Sequence, residues 1–166
     1  MTEYLINHYF PDYVINTGCA GSLRSDVTIM DVVLSNYVTY HDFTPVRIME
    51  YSVPDQGKPK ACEDLIISAQ EILEEKKQKY FVAPLCSGDC FVTNDKMRDE
   101  IKEKTGAFAV DMESGSIGHI CRKHEIPFLC IRTISDFADG NDDFEREAAH
   151  KSSELVKDII DKLCLK

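Results

Sequence analysis

The sequence is short of positive charge. Across 166 residues, 19 Lys and Arg stand against 29 Asp and Glu, a formal net charge of −10. Polymeric nucleic acid and anionic membranes are bound through basic patches, so neither is an expected partner. A small molecule without a phosphate is not excluded. No long apolar span, secretory signal, internal repeat or low-complexity segment is visible. Cys19, Cys62, Cys86, Cys90, Cys121, Cys130 and Cys164 are odd in number, and no two have C-x-x-C spacing. Most sit inside apolar runs, as buried free thiols do. A reducing cytoplasm is therefore the expected compartment. The length suits one domain over residues 1–166, with a real core.

What is present is an alternation of strand and helix patterns. Residues 1–9 read as the end of a helix, stopped by Phe10 and Pro11. Residues 13–16 read as a strand that runs into a turn of small residues, 17–22. Residues 27–40 are rich in β-branched side chains and predict one long strand, or two joined by a bend. Residues 46–61 contain Pro54, Gly57 and Pro59 and predict a long loop. Residues 63–77 predict an amphipathic helix, with Leu65, Ile66, Ala69, Ile72 and Leu73 on one face.

Strands follow at 80–85 and 107–110, with a short charged helix at 96–104 between them. A helix over 113–124 carries Gly115 and Gly118, poor helix formers that imply close packing on a neighbour. The final helix, 144–166, would bury Leu155, Val156, Ile159, Ile160 and Leu163. The alternation predicts an α/β fold with a largely parallel sheet.

The chain is organised around residues 126–139, IPFLCIRTISDFAD. A short apolar run ending abruptly in polar residues is the mark of a strand covered on both faces. Ligands of open α/β sheets sit at the carboxyl ends of such strands. Ser135 and Asp136 would lie there, with Arg132 just upstream. Three other strand ends carry residues 16–21, Ser87-Gly88-Asp89 and Asp111-Met112-Glu113. If the strands are parallel, Asp89, Asp111, Glu113, Asp136, Phe91 and Met112 meet on one rim. Such a rim suits a flat heterocycle joined to a sugar diol. An ionised Glu113 has acceptors for two hydroxyls, Phe91 can stack on a base, and a protonated Asp136 can bond a ring nitrogen.

Plainer readings stand beside these. Asp136 can cap a following turn, and Met112 and Phe91 can be core residues. His119, Cys121 and His124 do not share one helical face, so no metal or cofactor is expected from them. His41 beside Asp42 reads as a structural hydrogen bond. Cys86 and Cys90 lack the C-x-x-C helix start of a redox pair.

The segments INTGCAGS (15–22), DVVLS (31–35) with YHD (40–42), SGD (87–89), AVDMES (109–114) and RTISD (132–136) occur in this order. In that order and at similar spacing they resemble the 5′-methylthioadenosine/S-adenosylhomocysteine nucleosidases of the nucleoside phosphorylase superfamily. The resemblance covers nearly the whole chain. It implies a three-layer αβα fold, with a twisted, mostly parallel or mixed sheet flanked by helices. It also implies hydrolysis of the N-glycosidic bond, releasing adenine and a 5-thioribose in methionine salvage.

By resemblance Asp136 is the catalytic residue and protonates or hydrogen-bonds N7 of adenine. Ser135 and Arg132 hold Asp136 and the pocket. Phe91 stacks on adenine, and the backbone of Val92 reads its edge. Met112 and Glu113 hold the ribose, Glu113 through the 2′- and 3′-hydroxyls. Phe144 covers the sugar. Cys19 stands where these hydrolases usually carry Ser. No cofactor is implied.

The family carries an N-terminal segment with the first strands of its sheet and a Glu that activates water. This chain starts inside the helix that follows, and no residue takes that Glu's role. The expectation is an N-terminally truncated domain with unpaired sheet edges and little or no adenine release. The family is homodimeric, and residues 46–60, with Ile48 and Met49, would help close a partner's pocket. A phosphate-dependent purine nucleoside phosphorylase is the alternative, but only Arg24 lies near the first glycines, and phosphate needs cationic clamps. A non-catalytic nucleoside-binding remnant is the other alternative.

Overall fold

The structure is a computed structural model, and it describes residues 1–43, 58–140 and 147–164. The elements run α1 (Thr2–Tyr9), β1 (Val14–Ser22), β2 (Val32–Tyr40), α2 (Glu63–Glu75), β3 (Tyr80–Ser87), α3 (Asp95–Thr105), β4 (Ala109–Asp111), α4 (Ser114–Lys123), β5 (Phe128–Asp136) and α5 (Glu147–Cys164). Each lies close to its expected place, apart from the start of β2 and the end of β1. Residues 28–31 form a turn instead of strand, because the Asp31 carboxylate accepts the Thr28 amide at 2.9 Å. Residues 17–22, expected to be a turn, continue β1 to Ser22.

The five strands close on themselves in the order β1-β4-β3-β2-β5. β1 and β5, β2 and β3, and β3 and β4 pair in parallel; β1 and β4, and β2 and β5, pair antiparallel. The sheet is therefore mixed. The expected unpaired edges are not what the described residues show. Irregularities between Ala20 and Gly21 and between Ser35 and Val38 bend the strands toward closure.

Strand periodicity sends alternate side chains to opposite faces. Val32, Leu34, Leu129 and Ile131 face a layer made by α2 and α5, where Leu65, Leu73, Leu155 and Ile159 cover them. Val33, Phe128, Cys130 and Ile134 face the other layer, with Ile6 of α1 and Cys121 of α4. Helices thus flank both faces, giving three layers. Val38 has the parity of Leu34 yet packs with the second set, because the bulge between them shifts the alternation by one. A third cluster, including Cys86, Val92, Ile101, Val110 and Ala138, lies beneath α3. On α5, Leu155 and Ile159 are buried as expected, while Ile160 is 43% exposed. Among the described residues, no helix is long and apolar enough to cross a membrane.

The glycines of α4 do what the sequence implies. A Cβ on Gly118 would stand 2.5 Å from Val38 Cγ2 and 3.0 Å from the Phe128 ring. Replacing Gly by Ala within a helix ordinarily stabilises by about 1 kcal/mol. Here overpacking, typically about 1–3 kcal/mol, opposes it and should win. Gly118→Ala is expected to lower the urea unfolding midpoint. A raised midpoint would show that α4 is not seated on β2 and β5 in this way.

Candidate active site

β1 and β5 lie side by side with Gly18 opposite Arg132 and Gly21 opposite Asp136. A Cβ on Gly18 would sit 3.2 Å from Arg132 Nη1, and one on Gly21 would sit 2.8 Å from Asp136 Oδ1. The small residues of 17–22 therefore serve as clearance for two long polar side chains on the next strand. This is why they lie within a strand instead of forming a turn.

Cys19, Phe91, Val92, Met112, Glu113, Ser135 and Asp136 line one cavity of about 220 Å³, with Asp111 in its wall. Phe91 is 61% exposed and Met112 47%, so neither is a core residue. Both stand at the cavity, where Val92 behind them is buried. Asp89 does not line the cavity, and its amide is held by Asp42 Oδ2 at 2.7 Å. Phe144 lies outside the described residues, as do Ile48 and Met49.

Asp136 is half-buried and held at both oxygens. Ser135 Oγ donates to Oδ2 at 2.8 Å, and the Ala138 amide donates to Oδ1 at 2.9 Å. The plainer reading of Asp136 as a turn cap is thus part of the arrangement: one oxygen closes the turn, and the residue still faces the cavity.

Asp111 stands in the cavity wall as expected, is 7% exposed and also works as a hub. Oδ1 accepts from Ser87 Oγ at 2.5 Å, the Ser114 amide at 3.1 Å and the Glu113 amide at 3.3 Å. Oδ2 accepts from Arg132 Nε at 2.7 Å and from the Ser114 hydroxyl. Arg132 is 1% exposed and lies behind the cavity wall, not on it. Its Nη2 stands 3.6 Å from Glu113 Oε2, so the cation grips the cavity's second carboxylate from below. The sequence held one signal for the hub: Ser87, Asp111, Ser114 and Arg132 are polar residues at the ends of, or inside, apolar runs.

The thiols divide by burial. Burial pushes Cys86 and Cys121 up to about 12, so neither is a thiolate near neutral pH, and Cys86 does not suit a redox pair with Cys90. Cys121 packs in the core, and His124 faces Glu3 at 3.3 Å.

The Arg132–Asp111 pair generates a stability prediction. Removing one member of a buried ion pair strands the other and typically costs about 3–5 kcal/mol. Arg132→Met should lose stability on that scale in chemical denaturation. Arg132→Met combined with Asp111→Leu should recover part of the loss. A double variant whose loss equals the sum of the two single losses would mean the two charges are not coupled.

Residues 1–163 match the family model described as the phosphorylase superfamily. The chain is 34% identical to the 5′-methylthioadenosine/S-adenosylhomocysteine nucleosidase of Staphylococcus carnosus, over 98% of this chain and 75% of that protein. It is also 34% identical to the enzyme of that name from Buchnera aphidicola, over 98% and 73%. Among solved structures, the Neisseria meningitidis nucleosidase of the same name, in complex with methylthio-immucillin-A, superposes with a TM-score of 0.87 at 29% identity, over 97% of this chain and 74% of that one. The futalosine hydrolase of Helicobacter pylori gives 0.87 at 26% identity, over 97% and 72%. The chain belongs to the phosphorylase superfamily and, within it, to the 5′-methylthioadenosine/S-adenosylhomocysteine nucleosidases.

Proposed function

We propose that this chain hydrolyses the N-glycosidic bond of 5′-methylthioadenosine or S-adenosylhomocysteine, releasing adenine and the matching 5-thioribose. The carrying observation is the meeting of Phe91, Glu113 and Asp136, far apart in sequence, on one cavity. Cleavage of such a bond needs a better leaving group and a stabilised oxocarbenium-like state. Asp136 supplies the first by giving a proton or a strong hydrogen bond to N7 of adenine. Ser135 fixes its orientation through the 2.8 Å bond. Phe91 stacks on the base, and the Val92 backbone reads its edge. Glu113 accepts the ribose hydroxyls, held in place by Arg132, while Met112 and Cys19 pack against the sugar. Phe144 is proposed to cover the ribose.

Water is favoured over phosphate as the nucleophile. No Lys or Arg lines the cavity among the described residues. Arg132 is committed to Asp111, and Arg24 to Asp26 at 2.6 Å. The lining carboxylates are committed too: Asp111 to Arg132, Glu113 to the ribose and Asp136 to adenine. Among the described residues none is left to activate water, so we expect slow release of adenine. The reaction belongs to methionine salvage in the cytoplasm, a compartment consistent with the six free cysteines among the described residues. The exposed Phe91 and Met112 at the cavity favour a homodimer in which the partner covers the mouth.

Adenine release from 5′-methylthioadenosine, followed with and without phosphate, tests this reading. Release should not depend on phosphate. Asp136→Asn should reduce it by about 10²–10⁴-fold, the usual contribution of a positioned acid, while binding of an adenine analogue such as formycin A persists. Phosphate-dependent release would favour a phosphorylase. Analogue binding with no release by the parent chain would favour a non-catalytic binding protein.

A second variant separates the roles. Glu113→Gln weakens hydrogen bonds to the ribose hydroxyls, and bonds to a charged group are worth about 1.5–3 kcal/mol. KM for the nucleoside should rise by about tenfold or more, whereas affinity for free adenine, which has no ribose, should hold. An equal loss for both ligands would remove Glu113 from the sugar site.

A further inference from the structure

Beside the nucleoside cavity, at the carboxyl ends of β2 and β3, three unlike donors converge. His41 follows β2 directly, Asp42 comes next, and Cys90 stands in the turn after β3. One ligating atom from each lies within 4.8 Å of the other two, and no other such group of His, Cys, Asp and Glu occurs among the described residues.

The donors are not spent on the fold. His41 is 5% exposed, and its Nε2 is buried without a hydrogen-bond partner. A buried, unpaired imidazole nitrogen is costly and calls for an occupant. This nitrogen makes no hydrogen bond to Asp42. Asp42 Oδ2 accepts the Asp89 amide at 2.7 Å and keeps a second lone pair. Cys90 is an exposed free thiol. Gly88 keeps the approach open: a Cβ there would stand 2.2 Å from His41 Nε2 and 2.8 Å from Asp42 Oδ2. Any side chain at 88 would be driven between the two donors.

We propose that His41, Asp42 and Cys90 bind a zinc-class divalent cation, with a fourth position open to water. The donor set selects the ion. One imidazole nitrogen, one carboxylate oxygen and one thiolate match the borderline-soft preference of zinc, while magnesium and calcium take oxygen ligands. Charge balances as well. Cys90 gives its proton to solvent on binding, and thiolate plus carboxylate then neutralise the dication. Lys104 is the opposing charge nearby, and its ammonium is engaged by the His41 carbonyl.

The position gives the cation a consequence. Cys90 also lines the nucleoside cavity, next to Phe91. A cation held by Cys90 ties the turn after β3 to the end of β2 and fixes the place of Phe91.

The test uses the full chain, stripped with a chelator and titrated with Zn²⁺ by calorimetry and with Co²⁺ by absorbance. One Zn²⁺ should bind per chain, and Co²⁺ should give a thiolate-to-metal charge-transfer band. Losing an outer-shell partner costs about 10–100-fold in metal affinity, so losing a direct ligand should cost at least about tenfold. Cys90→Ser should abolish the band and weaken Zn²⁺ by that factor. Cys90 is exposed, so the variant should fold, which circular dichroism checks. Asp42→Asn should weaken Zn²⁺ in the same direction, and Cys62→Ser should leave it unchanged. No stoichiometric binding, or binding as tight in Cys90→Ser as in the parent, would overturn the proposal.

Discussion

The buried pair of Arg132 and Asp111 is the constraint on which the rest of the structure rests. Their contact is 2.7 Å, and both side chains are 2% exposed. Charges so far from water need full coordination, and the fold is arranged to give it. Ser87 arrives from β3, Asp111 from β4, Ser114 from α4 and Arg132 from β5. Gly18 on β1 leaves room for the guanidinium. Four strands and a helix are thus registered by one polar knot. Such a pair adds little net stability compared with a well-packed apolar replacement. What it adds is specificity of arrangement. That matters at the closure of the sheet, where β1 and β4 pair only through Gly21–Val110 and Ser22–Ala109.

Much of the architecture was legible because it follows local rules. The period of two in β2 and β5, the period of 3.6 in α2, and polar residues ending apolar runs placed the elements close to where they lie, apart from the end of β1 and the start of β2. The start of β2 was hidden by a local turn at 28–31; elsewhere the deciding information lies on another strand. Residues 17–22 look like a turn by composition, yet they are strand because Arg132 and Asp136 on β5 need space. Asp111 lines the cavity with Met112 and Glu113, as its place in the sequence suggests, but its role as a hub is hidden there. Only the fold brings Arg132 and Ser87 beneath it. A further feature no local rule predicts is the bulge in β2 that sends Val38 to the layer opposite Leu34.

Three acidic side chains sharing one cavity wall would repel one another if all were alike. The surroundings make them unlike. Asp111 is tied to a cation and to four further hydrogen-bonding groups. Glu113 is open to solvent, with its side chain 64% exposed, and the same cation stands 3.6 Å away. Asp136 is bonded by neutral donors, a hydroxyl and an amide. One guanidinium therefore answers two of the three carboxylates and leaves the third to neutral donors.

That asymmetry bears directly on proton chemistry. Asp111 accepts hydrogen bonds at both oxygens, one of them from the Arg132 guanidinium. A carboxyl whose partner is a serine hydroxyl is different, because a hydroxyl can donate or accept and so serves either protonation state. In the proposed reaction Ser135 would turn to follow Asp136 as a proton passes to a base in the cavity, with no charge to reorganise around it. The Ala138 amide holds the other oxygen throughout and keeps the carboxyl aimed. Gly21, 2.8 Å from that oxygen by the position its Cβ would take, leaves the side chain room to stand there. The same strand pairing that clears space for the ion pair at Arg132 thus clears space, three residues along β1, for the carboxyl proposed to meet the base.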